Sequence, residues 1–230
     1  MLERLILFDL DGTLIRSSNG FIAFNEAIKK TFGLSADIRS VVPDGNTDPV
    51  ILEEIFTTAN FKVEITEKKW RTFAKNLHEC YTDAIKQGLT MVFTLPGVLE
   101  LVKELARVSG LYQGVVTGNL EATGRLKLEA AGLGGYLGLG AYGSDSPNRN
   151  DLPAIAKERW ARVIGKSLPS GDCIIVGDTP KDLDAARNSQ MRCLLVGTGR
   201  YPVEELELLE PDACLSDFTD TKAVVEALLG

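Results

Sequence analysis

The sequence contains few of the residues that mark disulfide-rich, metal-thiolate or histidine-based proteins. Its 230 residues include a single histidine, His78, which lies in a helical pattern and which we expect to be structural. No CxxC pair occurs, so a disulfide framework or a zinc site is disfavoured, and buried free thiols are expected instead. The four cysteines are widely spaced: Cys80, Cys173, Cys193 and Cys214.

Basic runs and long apolar segments are also missing. The formal net charge of −7 gives no general attraction to nucleic acid or to an anionic membrane surface. The segment MLER leads directly into LILFDLDG without the layout of a signal peptide, and no apolar run is long enough for a transmembrane helix. We therefore expect a cytoplasmic globular protein without nucleic-acid or membrane partners, and its oligomeric state stays open.

Short apolar runs alternate with helical patterns along most of the chain. Continuous apolar runs are typical of strands buried on both faces, as in a parallel sheet. The alternation predicts an α/β protein with a doubly wound, mainly parallel sheet covered by helices on both sides. The runs are 5–9, 114–118, 139–143, 173–178, 193–197 and, more weakly, 213–217. The helical patterns are 97–108, 120–132, 151–164 and 180–189.

The interval after the first predicted strand breaks this alternation. About 85 residues separate Thr13 from Pro96, far more than one crossover helix needs. Helical patterns fill this interval, and almost no segment of it resembles a strand. We interpret residues 16–93 as a helical cap domain inserted into an α/β core of residues 1–15 and 94–230. Its helical patterns lie near 20–32, 48–58 and 66–87.

Two carboxylates, Asp9 and Asp11, follow the first predicted strand. They can converge on one small volume if the chain turns at Gly12. Two nearby acids stay ionised together only at a cost, unless a cation lies between them or one keeps a proton. The pair therefore suits a metal site or a nucleophile beside an acid/base, whereas a strand-end turn with an aspartate helix cap is the alternative.

Polar residues follow two further predicted strands. Asp178 and Asp182 flank a helix start, where they are either acids favoured by the helix dipole or members of a hard-oxygen site of the kind Mg²⁺ prefers. Thr117, Gly118 and Asn119 end another strand. Their hydroxyl and free backbone N–H groups could bind an anion, although taken alone a simple helix cap is the better interpretation.

The segments FDLDGTL, VVTGN and VGDTPKDLDAA, in this order at strand ends, resemble three of the four signature motifs of the haloacid dehalogenase-like hydrolase superfamily. The helical insertion resembles the cap domain of that superfamily, and the similarity spans residues 5–197. The phosphoglycolate-phosphatase-like group is the most similar branch. The resemblance implies a Rossmann-like core and a Mg²⁺-dependent phosphatase that acts on a small phosphorylated metabolite through an aspartyl-phosphate intermediate.

Carried over residue by residue, the resemblance also assigns roles. Asp9 would be the nucleophile and a metal ligand, and Asp11 the general acid/base with its backbone carbonyl on the metal. Asp178 would bind Mg²⁺ directly, and Asp182 directly or through water. The residues that would contact the substrate or its phosphoryl group are Thr13, Thr117, Gly118 and Asn119, with Thr117 acting catalytically through its hydroxyl.

Two positions depart from the family pattern. The third motif normally supplies a lysine, but residues 146–151 (SPNRND) contain none. Arg149 is our candidate for neutralising charge and binding phosphate oxygens, Lys157 is the second candidate, and a surface position for Arg149 is the alternative. Arg16 stands where many phosphoglycolate-phosphatase-like proteins have aspartate, which leaves the substrate open.

Other functions stay open as well. A phosphomutase, such as a β-phosphoglucomutase-like enzyme, would share the nucleophile. A metal-independent dehalogenase needs no acid at position 11 and is disfavoured. A non-catalytic binding protein is supported only by the altered third motif.

The insertion carries two sequence features of its own. The polar turn 44–48 could reach the active site, or Asp48 could simply cap a helix that has Pro49 at its first position. A stripe of apolar residues at helical spacing fits the core of the insertion better than a ligand site. Its members are Trp70, Phe73, Leu77 and Tyr81.

Overall fold

The computed structural model describes residues 3–229, which form an α/β fold. Its strands are β1 (Arg4–Phe8), β2 (Ile15–Ser18), β3 (Met91–Thr94), β4 (Leu111–Thr117), β5 (Gly140–Tyr142), β6 (Cys173–Gly177), β7 (Arg192–Val196) and β8 (Ala213–Leu215). Its α-helices are α1 (Gly20–Phe32), α2 (Asp48–Thr58), α3 (Glu67–Lys86), α4 (Val98–Leu105), α5 (Glu121–Ala130), α6 (Leu152–Ile164), α7 (Pro180–Asn188), α8 (Val203–Glu207) and α9 (Thr221–Leu229).

The main sheet has six parallel strands in the order β5-β4-β1-β6-β7-β8. β1 lies between β4 and β6, so that Phe8 is in register with Val115 on one side and Val176 on the other. The strand order reverses beside β1, and ligands of open α/β sheets bind at such a reversal, beyond the carboxyl ends of the strands. The predicted doubly wound sheet is confirmed.

The two faces of this sheet are both covered, as its continuous apolar strands predict. Alternate residues of β1 enter different clusters: Ile6 and Phe8 pack on the side of α4 and α9, and Leu5 and Leu7 on the side of α6 and α7. All four side chains are at most 1% exposed. Burying a large apolar side chain fully is worth about 1.5–3 kcal/mol, so β1 is anchored firmly at the centre of the fold.

The segment between β2 and β3 forms α1, α2 and α3, which share a third apolar cluster. The apolar stripe predicted on α3 supplies Phe73, Leu77 and Tyr81 to this cluster, and Trp70 packs against it. The grouping supports the proposed division into an α/β core and a helical cap, whose boundaries stay a prediction.

The expectation of almost no strand in this interval is wrong. β2 and β3 pair antiparallel, with Ile15 opposite Thr94 and Ser18 opposite Met91. Each strand has only four residues, and the partners are far apart in sequence, so no local sequence pattern shows their pairing. The two strands carry the chain out of the core and back.

The predicted bounds of the core helices α4–α7 lie within three residues of the observed ones, as is usual for helix ends. Two helices after β7, the short α8 and the longer α9, were not predicted. The remaining elements occur in the predicted order.

Candidate active site

A cavity of about 500 Å³ opens where the carboxyl ends of β1 and β4 face the helices α1–α3. Its core side is lined by Asp9, Asp11 and Thr117, and its helical side by residues such as Phe21 and Tyr81. The cavity therefore lies between the two parts of the chain, at the place that the strand order indicates.

The chain leaves β1 through a tight turn that directs two carboxylates at the cavity. The backbone N–H of Asp9 continues the sheet by donating to the Val176 carbonyl at 2.8 Å, and the N–H of Gly12 then donates to the Ile15 carbonyl at 2.9 Å. Gly12 has φ +90°, in the left-handed region that favours glycine, and a Cβ atom there would clash with the Asp178 carboxylate. This turn brings Asp11 beside Asp9.

Three carboxylates meet beneath the floor of the cavity. Oxygens of Asp9, Asp178 and Asp182 all lie within 4.8 Å of one another, and each residue is at most 5% exposed. Burial raises the pKa of Asp9 to about 6, although the nearby Arg149 guanidinium opposes this. Burial and the charges of Asp9 and Asp182 raise the pKa of Asp178 to about 8. The cluster thus carries more negative charge than its surroundings neutralise.

Arg149 supplies the cation of this cluster. It lies in a short 3₁₀ turn before α6 and is 7% exposed, so it is not a surface residue. Its Nη2 atom lies 2.5 Å from Asp182 Oδ1 and 3.2 Å from Asp9 Oδ1. Burial would lower the pKa of Arg149, but the two carboxylates hold it above its ordinary value. Lys157 instead donates to Ser170 on the far side of α6, away from the cavity.

The donor set of this cluster fits a hard divalent cation. Carboxylate oxygens are what Mg²⁺ and similar ions prefer, and a cation would offset the burial and mutual repulsion that raise the pKa values of Asp9 and Asp178. Asp182 is the most heavily engaged of the three, because its Oδ2 accepts from the N–H and hydroxyl of Thr179 in a capping box of α7. Asp182 therefore caps α7 and also belongs to the carboxylate cluster, and its role as a metal ligand stays a prediction.

Thr13 is not brought to the cavity. Its side chain is fully buried and its hydroxyl donates to Asp178 Oδ1 at 2.7 Å. A substrate contact by this hydroxyl, as the resemblance implied, would require it to leave Asp178. In the observed geometry, the Thr13 hydroxyl orients the Asp178 carboxylate.

The end of β4 provides the second polar wall. Asn119 donates through Nδ2 to Asp11 Oδ2 at 2.8 Å and to Thr117 Oγ1 at 2.9 Å. Both residues line the cavity. Thr117 has no exposed surface, and Asn119 is 9% exposed. Residues 9–11 and 117–119, predicted separately from two strand ends, therefore form one connected site.

Sequence reasoning missed Lys127, which joins this site from α5. Its Nζ atom lies 2.7 Å from both Asp11 Oδ2 and Asn119 Oδ1. Burial would lower the pKa of Lys127, but the Asp11 carboxylate and the neighbouring Tyr81 hold it above its ordinary value. The signal in the sequence was a lysine on the buried side of α5, four residues after Thr123 and beside Leu128, in a segment without any motif.

The segment before α2 contacts the β4 loop directly. The N–H of Asp48 donates to the Gly118 carbonyl, and Asp48 Oδ2 accepts from the Leu120 N–H, both at 2.8 Å. Thr47 Oγ1 donates to the Pro147 carbonyl at 2.7 Å. Asp44 and Asn46 of the polar turn line the cavity. The N-cap of α2 is Thr47, with Asp48 first and Pro49 second in the helix, so the interpretation of Asp48 as the cap with Pro49 at the first position is wrong.

The other single residues discussed above lie outside these contacts. Arg16 is exposed at the cavity edge and donates to the Thr198 carbonyl at 2.7 Å. The His78 ring lies 3.2 Å from the Ala122 carbonyl on the outside of α3. All four cysteines are free thiols, as expected.

Together, the parallel sheet and the acidic cluster at the end of its central strand define an α/β protein with a buried carboxylate site that could hold a cation. Residues 6–187 match the family of haloacid dehalogenase-like hydrolases, and the chain belongs to this family.

Relatives and solved structures agree with this assignment. A phosphoglycolate phosphatase of Pectobacterium atrosepticum is 28% identical over 218 residues, which cover 94% of this chain and 89% of that protein. A hydrolase from Pseudomonas syringae has a TM-score of 0.70 at 20% identity, covering 99% of this chain and 100% of the other. A β-phosphoglucomutase from Clostridium difficile has a TM-score of 0.71 at 18% identity, covering 99% and 97%. At such identities the two structures show the fold alone.

The predicted family and enzyme class are confirmed by these matches. The roles of individual residues, the metal and the substrate stay proposals. In the part of the chain that the structure describes, no helix is both long and apolar enough to cross a membrane.

Proposed function

We propose that this chain is a Mg²⁺-dependent phosphomonoesterase of small phosphorylated metabolites, with Asp9 as nucleophile. One observation carries the proposal: Asp9 opens into the cavity while its carboxylate lies within 4.8 Å of Asp178 and Asp182 and 3.2 Å from Arg149. A nucleophilic carboxylate must approach an anionic phosphoryl group, and this requires cations around both.

The proposed reaction runs in two steps on the protein's own side chains. An Asp9 oxygen attacks phosphorus and the bond to the leaving oxygen breaks, while Asp11 gives that oxygen a proton. Asp11 then takes a proton from a water molecule, whose oxygen attacks phosphorus and releases phosphate from Asp9. Thr117 and the backbone at Gly118 and Asn119 would donate to the phosphoryl oxygens.

The metal would be held by Asp9, Asp178 and the Asp11 backbone carbonyl, with Asp182 as a direct or water-mediated ligand. When bound, Mg²⁺ would supply charge neutralisation between the nucleophile and the phosphoryl group. Because Asp182 already accepts from Arg149 and Thr179, a water-mediated contact is the better fit for it.

Phosphoglycolate is the first substrate to examine, because relatives of similar length are phosphoglycolate phosphatases. Phosphate release would be measured over a panel of phosphorylated metabolites, sugar phosphates included, with Mg²⁺ and with EDTA. We expect release that requires the metal. Asp9→Asn should abolish turnover while the circular dichroism spectrum is unchanged, and a folded Asp9→Asn protein that still turns over would contradict the proposal.

A further inference from the structure

Among the described residues 3–229, Lys127 is the one lysine with a side chain buried at the active site. Only 6% of that side chain is exposed. It lies in α5, outside the segments that resemble family motifs, 8 residues after Asn119 and 116 residues after Asp11. A buried ammonium group is costly unless it is fully paired, so its partners indicate what it does.

The ammonium group has polar or aromatic partners in three directions. It donates to Asp11 Oδ2 and Asn119 Oδ1 at 2.7 Å each, and its nitrogen lies 5.1 Å from the Tyr81 ring centroid. The ring face attracts a cation at this distance. Lys127 also lines the cavity, but two of its three N–H donors are already used by Asp11 and Asn119.

Lys127 also decides which way the Asn119 amide faces. A lysine donates and cannot accept, so the group of Asn119 that faces it must be the carbonyl oxygen. Asn119 Nδ2 is thereby directed at Asp11 Oδ2 (2.8 Å) and Thr117 Oγ1 (2.9 Å). Lys127 thus orients both the Asp11 carboxylate and the Asn119 amide.

Both donors reach the same oxygen of Asp11. Oδ2 accepts from Lys127 and from Asn119, whereas Oδ1 has no hydrogen-bond partner among the described residues. The Asp11 side chain is 41% exposed and lines the cavity. Since the outer torsion of an aspartate is soft, two donors on Oδ2 restrict its rotation and leave Oδ1 available.

We infer that Lys127 is a positioning residue for proton transfer: it holds Asp11 by Oδ2 so that Oδ1 meets the leaving oxygen and then the attacking water. This rests on the proposed function. The proton moves between Asp11 and the substrate or water. The Lys127 ammonium group stays protonated throughout.

The test compares Lys127→Met and the polar variant Lys127→Gln with the unchanged enzyme in Mg²⁺. Substrates are an alkyl phosphate, whose leaving oxygen needs a proton, and p-nitrophenyl phosphate, whose leaving group needs little help. We expect kcat/KM to fall by roughly 10–100-fold for the alkyl ester and by clearly less for the aryl ester. Lys103→Met in α4, away from the cavity, is the matched control and should keep full activity.

A double-mutant cycle separates positioning from a structural role. In the Asp11→Asn background, Lys127→Met should cause no further loss on the alkyl ester, because the group it positions is gone. Equal losses on both esters, a full additional loss in the Asp11→Asn background, or no loss at all would each overturn the inference. If a Met variant does not fold, judged by its melting curve, the Gln variant decides.

The outcomes also distinguish this inference from the proposed function. If the folded Asp9→Asn protein still turns over substrate, the proposed function is wrong. An inactive Asp9→Asn protein together with a fully active Lys127→Met protein sinks only the role of Lys127.

Discussion

At the scale of single residues, the site is built from three buried carboxylates and the partly exposed Asp11, each held by a cation or a hydroxyl. Arg149 contacts Asp9 and Asp182, and Lys127 contacts Asp11. Unpaired buried charges are far more costly than paired ones, so each cation stabilises the fold as well as the site.

Replacing Arg149 tests whether it takes the place of the missing motif lysine. Arg149→Met should lower kcat/KM by roughly 10²–10³-fold, because a fixed charge beside the phosphoryl group is lost. Without metal it should also lower the free energy of unfolding by about 3–5 kcal/mol, since two carboxylates lose their partner. Arg149→Lys should recover part of the activity, because it keeps the charge but not the planar fork.

Steady-state phosphate release and urea unfolding in EDTA measure these two effects. Arg162→Met is the control, because Arg162 lies on the outside of α6 in an exposed pair with Glu158. If the Arg149→Met enzyme is fully active, Arg149 does not take the place of the third-motif lysine.

Asp48 gives a prediction for pH. Burial raises its pKa from 3.8 to about 6, opposed by Lys127, while the charge of Asp11 adds to the rise. Tyr81 is the other titratable group that interacts with it. The folded state therefore holds the Asp48 proton more tightly than the unfolded state. The stabilisation of the folded state by protonated Asp48 is fully present below pH 3.8 and is lost as the pH rises through about 6.

Asp48→Asn removes this titration. Relative to the variant, the unchanged protein should lose up to about 3 kcal/mol of unfolding free energy between pH 4 and pH 7. Urea melts of both proteins across this range, in EDTA, measure the difference. Because other titrating groups are common to both proteins, a difference that stays constant with pH would contradict the assigned shift.

At the scale of elements, the contact between α2 and the loop after β4 connects the helical insertion to the catalytic residues. Gly118 permits this contact, since a Cβ atom at this position would clash with the Asn46 carbonyl. The same loop contains Thr117 and Asn119, so that a displaced α2 also changes the cavity wall.

Gly118→Ala should therefore weaken substrate binding and raise KM about tenfold or more, with faster proteolysis in the segment before α2. The reason is steric: the backbones of residues 46–47 and 118 approach too closely for a side chain. Kinetics and limited trypsin digestion measure both effects. Gly135→Ala is the matched control, because a Cβ atom there meets nothing within 4 Å. Equal behaviour of the two variants would exclude a role for this contact.

At the scale of the whole molecule, the sheet brings together acids that are about 170 residues apart in the chain. The repulsion between Asp9, Asp178 and Asp182 is part of the free energy of folding. A cation that binds only the folded chain offsets this repulsion by mass action.

Mg²⁺ should thus raise the melting temperature of the protein. At 100 times the dissociation constant the expected gain in unfolding free energy is about 2.7 kcal/mol. Thermal melts with MgCl₂ and with NaCl at equal ionic strength measure the specific part. Asp178→Asn should fold but lose most of the Mg²⁺ response, and a response equal to that of the unchanged protein would place the cation elsewhere.

Sequence by itself determined the six strands of the parallel sheet, the helices as far as α7, and the strand ends at which Asp9, Asp11, Thr117 and Asp178 stand. These follow from local patterns: continuous apolar runs, helical periodicity and polar residues directly after a strand. The family resemblance added the chemistry of those positions, because its motifs are also local.

Tertiary structure alone decided which side chains contact one another across the chain. The pairing of β2 with β3, the commitment of Thr13 to Asp178 and the burial of Arg149 rather than Lys157 at the site all depend on packing between distant segments. Lys127 is the clearest case: its own segment has no motif, and only the packing of α5 beneath the cavity places it beside Asp11. Short-range sequence patterns cannot encode such contacts, because their partners are fixed by the fold and not by spacing.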